Sequence, residues 1–185
     1  MDYNYIDCDF EKLSANIFVS DKIRINYEHA FASWVTAAYL LFESDKVVAF
    51  CLMKDENLSG GFLHYHIPAD QRRYFIDTYP LIDQKTNQIF YVYTDNNFCN
   101  KGFGTHLLRY VISNQKIKGY RSLWLKRETN SRIYENLSFC DFLEGTKKLL
   151  DTEFDDFVKD YEQYIGSENL LLNKFGDQRL VYLLS

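Results

Sequence analysis

The sequence predicts a mixed α/β (α+β) fold, a sheet with helices packed against it, and three observations carry that expectation. Two apolar runs, Tyr39 to Glu43 and Val47 to Met53, flank a polar Ser44-Asp45-Lys46 turn and read as a β-hairpin. A run rich in β-branched and aromatic residues, Ile89 to Thr94, leads through a glycine-bearing turn into apolar residues at helical spacing. Helix-period and strand-period segments mix along the chain with no internal repeat or low-complexity linker, so residues 1–185 are read as a single domain.

In chain order, a first helix is expected from about Phe10 to Phe18, capped by Asp9, with Phe10, Leu13 and Ile17 on one face. A second, capped by Asn26, is expected to run to about Ala37, with Tyr27, Ala30, Phe31 and Trp34 repeating at the same spacing. The hairpin follows, and the polar run from Lys54 to Gly61 reads as a loop. Phe62 to Ile67 alternate as a strand does, with His64 and His66 on one face. Pro68 is placed to open a short helix, Ala69 to Asp77, that must end by Tyr79 because Pro80 cannot continue it.

The stretch from Gln88 to Val111 organises the rest. Its strand stops at Asp95-Asn96-Asn97, a polar turn cluster. Lys101-Gly102-Phe103-Gly104-Thr105 comes next, and its two glycines allow a tight bend and close approach of the backbone to a ligand. Phe103, Leu107, Leu108, Val111 and Ile112 then define a helix. A strand, a glycine turn and a helix N-terminus form a site for anions, because unpaired N–H groups and the helix dipole point the same way. The expected ligand is a phosphate-bearing cofactor; the plain alternative is a tight turn and nothing more.

Gly119, with Lys116 and Lys118 before it, is expected to close that helix. Ser122 to Lys126 reads as a buried strand, Asn130 as the cap of a short helix with Ile133, Tyr134 and Leu137, and Phe139 to about Glu144 as a strand. Thr152-x-x-Asp155 resembles a capping box for a helix carrying Phe154, Phe157, Tyr161 and Ile165, closed by Gly166. Leu170 to Leu172 and Leu180 to Leu184 are short strand candidates around a Gly176-Asp177 turn.

Composition narrows the function. A hydrophobic share of 46% with 15 Tyr and 15 Phe argues for a packed globular chain and against disorder. The net charge of −5, with no basic stripe, argues against nucleic acid and is compatible with a cationic substrate. The four cysteines are scattered and form no C-x-x-C, so neither a disulfide framework nor a zinc site is expected. No apolar run approaches the roughly 20 residues of a membrane span, and Met1 to Phe10 lacks a signal-peptide core, so a soluble, cytoplasmic protein is expected.

Two motifs in the right element order resemble the GNAT acetyltransferase superfamily. The first, Arg or Gln, two residues, Gly, one residue, Gly or Ala, falls on Cys99, Asn100, Lys101, Gly102, Phe103 and Gly104, with Cys99 replacing Arg or Gln. The second, a Tyr-Glu-Lys-Leu-Gly-Phe-like element, is Tyr134-Glu135-Asn136-Leu137-Ser138-Phe139. The likeness covers Tyr39 to Met53 and Ile89 to Phe142. A P-loop would need Gly-x-x-x-x-Gly-Lys-Ser/Thr, which is missing. A dinucleotide fingerprint would need a small residue where Leu107 stands.

The resemblance implies a mixed, mostly antiparallel central sheet flanked by helices, with residues 55–85 as an insertion before the key strand that helps shape the acceptor site. It implies acetyl-CoA as cosubstrate and a small-molecule or peptide amine as acceptor. The backbone of Cys99, Asn100, Lys101, Gly102, Phe103, Gly104 and Thr105 would face the pyrophosphate, and that of Tyr93 and Thr94 the pantetheine arm. Asn130 would reach the cofactor or serve only as a cap. Tyr134 matches the tyrosine that protonates the departing thiolate; its plain reading is a packed helix aromatic. Gln88 stands where some members have a glutamate base and takes no proton, which leaves a water chain or His64 and His66. The two histidines could equally bind a metal or, as the favoured reading, simply face solvent. No metal is implied. Two other readings stand beside the enzyme: a GNAT-fold module that binds acyl-CoA or a partner protein without turnover, and a homodimer built on the aromatic surface.

Overall fold

A computed structural model describes residues 2–7, 37–44, 46–55, 67–83, 86–126, 132–166 and 179–184. Among these, seven strands and five α-helices make a mixed α/β architecture. They fall into two compact units, one of residues 1–55 and 88–115, the other of residues 56–87 and 116–185.

In the first unit the strands lie in the order β1 (Asp2–Asp7), β2 (Ala37–Glu43), β3 (Lys46–Asp55), β4 (Thr86–Thr94), the last contributing its residues from Gln88 onward. β1 and β2 pair antiparallel with Tyr3 opposite Leu41, and β2 and β3 pair antiparallel as the predicted hairpin, Tyr39 opposite Cys51. Residues 37–41 of β2 and 47–53 of β3 are buried without a break. Both faces of these strands are therefore covered, which explains near-continuous apolar runs instead of alternation. The register slips between Leu41 and Phe42, so Val48 has no partner on β2. The carbonyl of Val48 instead accepts the Asp95 N–H at 2.9 Å, which pins the point where β4 ends.

The helix of this unit, α2 (Phe103–Ile117; α1, Arg72–Thr78, belongs to the other unit), buries Phe103, Gly104, Leu107, Leu108, Val111 and Gln115. Gln115 donates its side-chain N–H to the Tyr39 hydroxyl at 2.6 Å, and that hydroxyl donates to Asn114 at 2.6 Å, so the buried phenol is satisfied twice. Tyr110 stacks on Tyr3 with centroids 4.3 Å apart.

The second unit carries strands β5 (Ser122–Lys126), β6 (Cys140–Asp141) and β7 (Arg179–Leu183) in the order β5-β7-β6, both pairings antiparallel. Its helices are α1, α3 (Arg132–Glu135), α4 (Phe142–Leu150) and α5 (Phe154–Ile165). Phe75, Tyr79, Trp124, Leu150, Phe157 and Tyr161 form the core here.

Several expectations are met and several are corrected. β5 has the predicted bounds, Gly119 closes α2 at φ 78°, and Gly166 closes α5 at φ 93°. β1 was not anticipated. Ala37, assigned to the end of a helix, starts β2. Pro68 does not open α1 directly: its carbonyl accepts the Gln71 and Arg72 N–H groups in a turn, and the helix begins at Arg72. The strand expected from Phe139 to Glu144 shrinks to Cys140–Asp141, because the Asp141 carboxylate accepts the Glu144 N–H at 2.8 Å and caps α4. Thr152 caps nothing; it lies in a 3-10 turn, Asp151–Glu153, and the N-cap of α5, Glu153, makes no side-chain capping bond. The helices expected over residues 10–18 and 26–36, the strand over 62–66, and the elements over 170–177 lie outside the described residues.

Candidate functional site

The candidate site begins where β4 ends. Tyr91 and Tyr93 share one face of the strand, as residues two apart must, and both rings lie against Phe50 of β3, at 5.9 and 5.5 Å. Burial, reinforced by the Asp95 carboxylate, raises the Tyr93 phenol above its ordinary value, so it stays protonated near neutrality. Packing thus anchors the last strand residues before the loop.

Asp95 then turns the chain. Its carboxylate accepts the Asn97 N–H at 2.8 Å and its carbonyl accepts the Phe98 N–H at 2.8 Å, building a 3-10 turn over Asn96–Phe98. The polar cluster was legible in the sequence as a turn; its service as the clamp of this loop was not. Cys99 directs its thiol back at the carbonyls of Asp95 (3.5 Å) and Thr94 (3.8 Å). The side chain that stands in place of Arg or Gln is therefore folded onto its own loop.

Two left-handed residues follow, Asn100 at φ 62° and Gly102 at φ 84°. Asparagine tolerates this region and glycine has no penalty there. The first helical hydrogen bond of α2 runs from the His106 N–H to the Gly102 carbonyl at 2.9 Å. Gly102 is thus the N-cap, with no side chain to cap with, and the N–H groups of Phe103, Gly104 and Thr105 have no acceptor within the helix. No acidic side chain occupies the first turn. A Cβ built on Gly102 would meet no atom within 4 Å among the described residues. N–H groups without a helical acceptor are what an approaching phosphate requires. Lys101 is exposed, its ammonium 5.0 Å from the centre of the Phe98 ring, and that ring packs edge-on to Phe103 at 5.8 Å. Tyr93, Thr94 and Cys99 to Thr105 are accordingly brought together in the first unit as one continuous loop and helix start.

Tyr134 belongs to the second unit. It is half-buried on α3, its ring 5.7 Å from Phe139, and its carbonyl accepts the N–H groups of Leu137 and Phe139 at 3.0 Å. Ser138, where the resembled motif has glycine, adopts φ 69°. A left-handed serine is strained by about 1–2 kcal/mol, so Ser138→Gly is expected to raise stability by about 0.5–1 kcal/mol after the extra freedom of the unfolded glycine is deducted. A urea midpoint that stays put would show that the position is not strained. Gln88, half-buried in β4, has no proton-accepting group of the required basicity, and Asn130, His64 and His66 lie outside the described residues. Among the described residues, no three His, Cys, Asp or Glu side chains gather as a metal site, and no helix is long and apolar enough to cross a membrane.

A family model described as the acetyltransferase (GNAT) family matches residues 8–139. No curated protein matches the chain by sequence. Among solved structures, Tetrahymena GCN5 is similar at 10% identity over 100% of this chain and 97% of that one, with a TM-score of 0.54. A Desulfovibrio desulfuricans protein ascribed to the GNAT family is similar at 11% identity over 100% and 99%, with a TM-score of 0.51. The ribosomal-protein-S18-alanine N-acetyltransferase of Escherichia coli is similar at 15% identity over 75% and 78%, with a TM-score of 0.45. At these identities the first two likenesses are of fold.

Proposed function

The chain belongs to the GNAT acetyltransferase family, and from that premise we propose that it is a single-domain enzyme that moves an acetyl group from acetyl-CoA to a primary amine by direct attack. The observation that carries this reading is the uncapped start of α2: the first helical bond is accepted by the Gly102 carbonyl, so the N–H groups of residues 103–105 have no acceptor within the helix. Bound acetyl-CoA supplies an activated thioester carbonyl. The backbone of Asn100 to Thr105 would hold its pyrophosphate through charge-assisted hydrogen bonds, and Lys101 adds a cation on the same loop. Tyr93 and Thr94 would align the pantetheine arm through their backbone at the end of β4. Holding both substrates in register removes much of the entropic barrier.

Tyr134 is assigned, from the resemblance, to give its proton to the departing thiolate sulfur, and Asn130 to assist at the cofactor. Tyr134→Phe is expected to slow acetyl transfer about a hundredfold while acetyl-CoA affinity is unchanged. The measurement is thiol release across a panel of amines, paired with calorimetric titration of acetyl-CoA; an unchanged rate would remove Tyr134 from this role. The acceptor is a small-molecule or peptide amine. Absence of acetyl-CoA binding by the wild-type chain would sink the enzyme reading.

A second reading is favoured by Cys99, whose thiol is turned onto its own loop, and by Gln88 in place of a base: the chain binds acyl-CoA without turnover. Binding without thiol release for any amine would select it.

A further inference from the structure

The α1 and α5 helices of the second unit carry a carboxylate that the proposed chemistry does not use. Asp160 accepts the hydroxyl of Tyr74 at 2.7 Å and that of Tyr79 at 2.8 Å, both on Oδ2. The two phenols fix the carboxylate in orientation and leave Oδ1 to other donors. The neighbouring cations are engaged elsewhere: Lys159 pairs with Asp156 at 3.1 Å and Arg73 with Asp77 at 2.8 Å. Among the described residues Asp160 has no cation of its own. The hydrogen bond to Asp160, with smaller contributions from burial and Tyr164, raises the Tyr74 phenol to about 12, so it remains a donor at any working pH.

Beside this carboxylate, two aromatic rings are left in solvent. Tyr74 is 39% exposed and Tyr164 43%, although both touch the buried Phe75 at 5.4 and 6.2 Å. Their rings lie against each other at 4.7 Å, tilted by 47°, and form one patch with Asp160 at its side. Exposed aromatics joined to a core mark an interaction surface more than scattered apolar residues do. The two helices that carry the patch are net negative: α5 has Asp155, Asp156, Asp160 and Glu162 against Lys159, and α1 has Arg72 and Arg73 against Asp77.

We propose that Tyr74, Tyr164 and Asp160 dock a basic segment of a partner protein, with an arginine or lysine side chain laid across the two rings and its charged head on the open oxygen of Asp160. A guanidinium or ammonium gains from the carboxylate, from the ring faces and from the surrounding field at once. An acidic or neutral segment gains from none of these polar terms. The docking site belongs to the second unit and the proposed acetyl-CoA loop to the first, and its test needs no acetyl-CoA.

The test is fluorescence anisotropy of labelled, end-blocked peptides of alternating Gly and Arg, Gly and Lys, or Gly and Glu, titrated with the whole chain at physiological salt. Both basic peptides are expected to bind and the acidic one not to. Asp160→Asn, which keeps an oxygen for the phenols, is expected to weaken the Arg peptide about tenfold, and Tyr164→Ala about threefold to tenfold. Asp155→Asn removes the same charge from an exposed position on the same helix and is expected to change affinity less than about twofold. Equal losses in Asp155→Asn and Asp160→Asn would reduce the interaction to general attraction and overturn the site. So would affinity for blocked arginine amide as high as for the peptide, which would assign a small cation instead. If Asp160→Asn does not fold, Tyr164→Ala, on an exposed ring, decides the outcome alone.

Discussion

Replacing Gly102 by valine is expected to abolish acetyl-CoA binding to within calorimetric detection, a loss of about a hundredfold or more, or ~2.7 kcal/mol. Gly102 sits at φ 84°, a conformation in which a β-branched residue is a genuine outlier. The backbone strain costs about 1–3 kcal/mol, and because a Cβ there meets no atom within 4 Å among the described residues, no protein clash adds to it. The effect on affinity comes from the other side. In the proposed complex the valine methyls would stand on the loop that faces the pyrophosphate and would crowd its approach. Gly102→Ala should show the same pattern more weakly, with about 1–2 kcal/mol of strain and roughly a tenfold loss of affinity. Titration with acetyl-CoA beside a thermal unfolding curve separates the two consequences. Reduced stability with wild-type affinity would mean that Gly102 serves only the turn.

Phe75→Ala is expected to give the largest loss of stability, about 3–5 kcal/mol. Phe75 is fully buried, and its ring lies 5.8 Å from Phe157, 6.1 Å from Tyr79 and 6.3 Å from Tyr161. The edge-to-face pairs with Phe157 and Tyr161 add to the transfer free energy of the ring itself. Truncation would leave a void bordered by rigid rings, which close over a cavity less readily than flexible side chains do. Against a total stability of about 5–15 kcal/mol such a loss is about a fifth or more of what holds a domain of this size together. Urea denaturation measures it, and a loss below about 1 kcal/mol would show that the cluster collapses into the space.

The loop was legible because its signals are local. Asp95-Asn96-Asn97, Gly102 and the apolar period from Phe103 onward each act within a few residues, and the structure places the turn, the N-cap and the helix where those signals put them. Cys99 was legible as a departure, but the direction of its thiol was not, since that depends on two carbonyls presented by the end of β4. The failures have the same origin. Gly145 lies inside α4, although glycine in a helix interior costs about 1 kcal/mol relative to alanine. In the fold, a Cβ at Gly145 would stand 3.1 Å from the Cβ of Val181, so the glycine permits α4 and β7 to approach. Thr152-x-x-Asp155 had the letters of a capping box, and a left-handed Asp151 at φ 47° with a 3-10 turn took its place.

The sequence by itself determined the mixed α/β class, the hairpin, the glycine loop that starts α2 and the family to which the chain belongs, because backbone stereochemistry and period are properties of neighbours along the chain. Only the tertiary structure decided that Val48 pins Asp95, that Gly145 lies under Val181, and that two tyrosines far from α5 in sequence converge on Asp160. Those contacts join residues dozens of positions apart. Their energies come from packing and hydrogen bonding between elements, which no local propensity encodes.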